Sequence, residues 1–112
     1  DPAAHGSALL RAARWLHTCC VRAVPGFEAI AAPWWPPVRG DSRCLEAKLG
    51  GAGLTLIALL EANRLAPDTI PAQDLRKLAR FLVYMQRPDG SFFSKYRPCD
   101  GGRDDRWTSL YY

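Results

Sequence analysis

Apolar residues recur at spacings of three and four near the start of the chain. Leu9, Ala13, Leu16, Cys20 and Val24 form one stripe, with Arg11, Arg14, Thr18 and Arg22 opposite. That period predicts a helix over about residues 8–24 with one buried face. Ser7 suits its N-cap and Pro25-Gly26 its stop. A second helix is predicted over about 45–65. Its centre, GGAGLTLIALLEA, is apolar nearly all round, and such a helix is enclosed by other elements. Gly50, Gly51 and Gly53 each cost about 1 kcal/mol relative to Ala in a helix. They are tolerable where the helix begins or where another backbone comes close. A third helix is predicted over about 72–87, with Leu75, Leu78, Ala79, Leu82 and Met85 inward and Arg76, Lys77 and Arg80 outward. Pro71 fits its first turn, Asp74 complements its positive end, and Pro88 terminates it. The linker APDTIP is short, so the second and third helices are expected to pair antiparallel.

Elsewhere the helical period fails. Prolines interrupt the segment 33–43, which predicts a loop carrying Trp34 and Trp35. Beyond Gly90, SFFSKY and RWTSLYY are aromatic and β-prone around a turn-like RPCDGGRDD. They predict an extended aromatic C-terminal arm, 91–112, as a small hairpin or two extended stretches. The expected fold is mainly α, in one helical domain. Three helices cover the apolar second helix only in part, so the domain is expected to be incomplete or dependent on a partner. Leu56, Ile57, Leu59 and Leu60 should be covered on every side, partly from outside this helix set. Expressed alone, the chain should aggregate or remain molten.

Composition narrows the function. The 112 residues carry a net charge of +4, and the basic residues are scattered rather than gathered into the patch of a nucleic-acid binder. No apolar run is long enough to cross a bilayer. The start, DPAAHGSALL, lacks the basic and apolar regions of a signal peptide and reads as a processed end or an excised piece. Cys19, Cys20, Cys44 and Cys99 lack Cys-x-x-Cys spacing and are not matched with His5 or His17. No metal or other cofactor is expected. Unpaired thiols favour a reducing compartment, with localisation otherwise open. LGGAG lacks the spacing of a phosphate-binding loop, and His17 reads as a hydrogen-bonded residue at the edge of its helix's apolar stripe.

The stretch FLVYMQRPDGSF resembles the QW-type repeat that ends helices in the α/α-toroid superfamily of terpenoid cyclases and protein prenyltransferases. Phe81-Leu82, Gln86, Gly90 and Phe92 occupy the repeat's places. KLGGAGLTLIALLE and SLYY also resemble hairpins of six-hairpin carbohydrate-active enzymes, so the likeness runs from Cys44 to Tyr112. It implies partial toroid-like helical hairpins, with Gln86, Pro88, Gly90 and Phe92 as a structural terminator. GRDD lacks the first acid of the Asp-x-Asp-Asp motif of protonating cyclases, and the zinc set of prenyltransferases is not identifiable.

Two functional classes follow. In the first, the chain is a non-catalytic helical subunit or fragment of a larger assembly. It contacts other protein chains, or the remainder of a longer polypeptide, through Trp34, Trp35, Tyr111 and Tyr112. In the second it is a segment of a toroid carbohydrate-active enzyme, glycosidase-, lyase- or epimerase-like, binding sugar through Lys95, Tyr96, Asp104, Asp105 and Trp107. Glu46 and Glu61 are further acids, but no spacing sets two carboxyls across a cleft. The first class is preferred, because 112 residues cannot close a toroid.

Overall fold

The computed structural model describes residues 2–35 and 45–104. Helix α1, Pro2–Trp15, runs into a π-helical turn, Leu16–Cys20, closed by the Val21 amide donating to the Leu16 carbonyl. Strands β1, Val21–Val24, and β2, Phe27–Pro33, form an antiparallel hairpin. A two-residue β3, Ala47–Lys48, leads into α2, Leu49–Leu65, and α3, Ala72–Tyr84, follows. Strands β4, Lys95–Arg97, and β5, Gly102–Asp104, complete a three-stranded antiparallel sheet in the order β3-β4-β5.

The architecture is α+β, three helices with two antiparallel sheets, which corrects the expected mainly α, toroid-like fold. The first error lies at 21–33, read as the end of a helix and the start of a loop. The β1–β2 register slips between Ala23 and Val24. Val21 and Val24 are both buried, with Arg22 and Ala23 exposed between them. This departs from the strict alternation of a strand where the pairing is irregular, and it reproduces the three-residue spacing of a helix. Pro25-Gly26 then acts as the hairpin turn, with Gly26 at φ +84°, the left-handed conformation that glycine adopts without strain. The second error lies at 47–48. The described part of the arm does form a small hairpin, β4 and β5, but β3 adds to it as a third strand that the helical reading of 45–65 did not include.

Two apolar clusters hold the elements together. One joins Val24, Ala32, Trp34, Ala47, Ala52, Phe81, Met85 and Tyr96; the other joins Ala13, Val21, Ala31, Leu59, Ala62, Ile70 and Leu78. Ala31 and Ala32 are neighbours on β2 that enter different clusters, as the alternation of a strand requires. Asn63 fixes the α2–α3 linker through reciprocal 2.8 Å bonds: its amide donates to the Ile70 carbonyl and its oxygen accepts from the Ile70 amide. Trp35 and Glu46 also exchange backbone hydrogen bonds, of 2.9 and 3.0 Å. That clamp draws together the two ends of the described chain on either side of 36–44.

Candidate functional site

Helix α2 is the element that positions the exposed apolar surface. Ala52, Thr55, Leu59 and Ala62 are its buried residues. Leu54, Ile57 and Leu60 lie three apart on the other side and are 70%, 64% and 50% exposed. Leu56 is half-buried and Leu59 fully buried, so within this chain the expected covering on every side holds for part of the helix only. Glu61 and Arg64 flank the ridge and pair with each other, which holds the Glu61 carboxyl below the usual carboxylate range. Nothing lies within 4 Å of where a Cβ would stand at Gly51 or Gly53, so the helix's first turns are open to a close neighbour.

A pocket of about 240 Å³ opens beside the N-terminal half of α2, against Gly51 and Thr55. The π-helical turn brings Leu16 and Cys20 to it, with Trp15 just before them. Such turns widen a helix locally and are frequent at functional sites. Trp34 and Trp35 form further walls. Trp34 is buried, its indole N–H donating to the Arg22 carbonyl at 3.0 Å, whereas Trp35 is 64% exposed. Glu46 and Lys48 stand at the polar part of the wall, 3.7 Å apart. Burial, reinforced by Cys19, pushes the Cys20 thiol above its ordinary pKa, against the opposing pull of Arg22, so it stays a neutral part of the lining.

The polar residues named for a sugar site are brought together, but in packed surroundings. Lys95 and Asp104 stand opposite each other across β4 and β5, and both are buried. Tyr96 belongs to the core, with ring centroids 6.0 to 6.5 Å from Trp34, Phe81 and Tyr84. Burial raises its phenol pKa. Asp105, Trp107, Tyr111 and Tyr112 lie outside the described residues. Among the described residues, no group of three His, Cys, Asp or Glu side chains is placed to hold a metal.

The segment after α3 is a tight structural turn. The Gln86 amide donates to the Gly90 carbonyl at 3.1 Å, Gln86 and Phe92 form an isolated β-bridge, and Gly90 adopts φ +94°. Asp89 accepts from the Ser91 hydroxyl and amide, which lowers its pKa. The Phe93 amide satisfies the Met85 carbonyl at 2.8 Å, and the Arg87 guanidinium lies 4.6 Å from the Phe93 ring centre.

Sequence reasoning missed the pocket because a regular α-helical period through Leu16–Cys20 hides the π turn, and because 21–24 is strand rather than helix. The signal that marks the end of the helical run is local: VRAV and FEAIAA lie on the two sides of a turn-forming Pro-Gly, which is the pattern of a hairpin. No protein-family model, no curated protein and no solved structure matches this chain.

Proposed function

We propose that the chain is a non-catalytic contact module that acts by burying the outer face of α2 against another protein surface. That surface belongs to a separate chain or to further residues of a longer polypeptide. The carrying observation is the exposure of Leu54, Ile57 and Leu60 on one side of a helix whose other side is core. Clustered apolar side chains of this size on a surface mark interaction sites. The open glycine at 53 supports the reading, since it leaves room for a partner's backbone on that side. The burial of Lys95, Tyr96 and Asp104 supports it too, because those groups are engaged in packing.

The test is a triple variant, Leu54→Gln, Ile57→Gln and Leu60→Gln. The unmodified chain is expected to self-associate or bind a hydrophobic dye, and the variant to lose most of that behaviour while keeping its helical content. Unchanged association and dye binding in the folded variant would refute the assignment.

A further inference from the structure

The shape of the α2 ridge indicates what covers it. At the period of an α-helix, Ile57 lies at the centre of the outer face, with Leu54 on one flank and Leu60 on the other. Gly53 falls on the Leu60 flank and Glu61 on the Leu54 flank. The Leu60 flank is therefore uneven, with a hollow at Gly53 towards the start of the helix and a knob at Leu60 towards its end. Nothing stands within 4 Å of where a Cβ would lie in that hollow. A second copy laid antiparallel, with a twofold axis at Ile57, evens the flank out. The axis brings each residue level with the one equally far from Ile57 on the other copy. Leu60 of each copy then drops against Gly53 of the other, and Leu54 lies along the other copy's Glu61. A parallel pair would instead set knob on knob and hollow on hollow, which forfeits close packing.

Charge favours the same arrangement. Glu61 and Arg64 pair with each other within one copy, so the rim brings no net charge to the contact. The first turn of α2 holds no acid, and Arg64 is the base of its last turn. Antiparallel copies set opposite ends of the two helix dipoles together, whereas parallel copies set like ends together and Arg64 level with Arg64. Area sets the strength. A ridge of this kind exposes about 300–600 Å², below the roughly 800 Å² per partner of a standard interface, so the association is a weak one.

We propose that the chain forms a weak antiparallel homodimer through α2, with Ile57 on the twofold axis and Leu60 of each copy seated against Gly53 of the other. This pairing rests on the α2 contact reading and supplies its partner. Sedimentation of the full chain is expected to show a monomer–dimer equilibrium with a Kd of about 10–100 µM and no larger species. Gly53→Leu separates a fitted dimer from a merely adhesive face. The new side chain has room in its own copy and adds apolar surface, yet it fills the hollow, so dimerisation should weaken about tenfold or more with helical content kept. Disulfide formation reads the register, with mass spectrometry of the linked peptides telling the new cysteine from the native ones. Ile57→Cys should link to its counterpart. Leu54→Cys and Leu60→Cys should not, because the antiparallel register sets like positions about 9 Å apart along the helix, beyond disulfide reach. Links between like positions at all three sites, stronger association of Gly53→Leu, or growth into larger species would overturn the pairing. A chain that stays monomeric at about 1 mM would overturn it too. If that monomer binds a hydrophobic dye and the triple glutamine variant does not, the contact reading stands with a different partner; if it binds no dye, both fall.

Discussion

Helices α2 and α3 pack against each other, yet they obtain their orientation in different ways. In α3 polarity decides: Leu78 and Phe81 are buried, while Arg76 and Arg80 are exposed. In α2 polarity cannot decide, because both sides are apolar. Its inner face consists of the small Ala52, Thr55 and Ala62 with one large residue, Leu59, and its outer ridge of Leu54, Ile57 and Leu60, all large. Average size therefore sets the orientation. Three small residues face inward where α1, α3 and β2 press close, Leu59 fills the core between them, and the other bulky apolar groups remain outside. A helix placed by size rather than polarity leaves apolar area uncovered, and that area is what the contact reading employs.

Core substitutions test this contrast most strongly. Phe81→Ala in α3 and Leu59→Ala in α2 should each destabilise the chain by about 3–5 kcal/mol, since both side chains are fully buried. Ile57→Gln on the ridge should change stability by no more than about 0.5 kcal/mol. Denaturant titration of the three variants measures the difference. A cost at Ile57 equal to that at Leu59 would mean that α2 has no outer side in solution.

A smaller effect of opposite sign is expected at Gly53. Replacing it with Ala should stabilise the isolated chain by up to about 1 kcal/mol, because helix propensity improves and an added Cβ meets nothing within 4 Å. The same change should weaken assembly if a partner's backbone rests there. A lower melting temperature for Gly53→Ala would show that α2 is not helical at that turn.

The smallest effect concerns pH. Glu61 on α2 and Asp89 beyond α3 both have lowered pKa values, from the Arg64 pair and from the Ser91 hydrogen bonds respectively. Each contribution to stability is complete above the ordinary carboxylate pKa and disappears as pH falls through the lowered folded value. Salt should reduce the Glu61 contribution more, because an exposed ion pair is readily screened. Melting curves of Glu61→Gln and Asp89→Asn, taken at two ionic strengths between neutral and acid pH, should merge with that of the unmodified chain at low pH. A gap that widens on acidification would contradict the sign.

Much of the helical part was legible. The expected 72–87 overlaps α3 at Ala72–Tyr84, and 45–65 overlaps α2 at Leu49–Leu65. Proline stops and the regular stripe of α3 made this possible. The displaced start of α2 has a tertiary cause, since Glu46 pairs with Trp35 and Ala47–Lys48 pairs with β4. Long-range pairing of this kind leaves no local period to read. The helix expected over 8–24 runs from Pro2 to Cys20, with its π-helical turn, and stops short of 21–24, because buried Val21 and Val24 of β1 imitate a helical stripe. Trp34 and Trp35 were assigned one contact role, yet one is buried and the other exposed. Adjacent residues in extended backbone point to opposite sides, so a strand reading of that segment would have separated them.

The Trp35–Glu46 clamp also gives the molecule a mechanical shortcut. Two reciprocal hydrogen bonds join residues on either side of 36–44, so a load on β2 passes straight to β3, which pairs with β4 and runs into α2. The hairpin and the three-stranded sheet should therefore resist pulling as one unit and give way together.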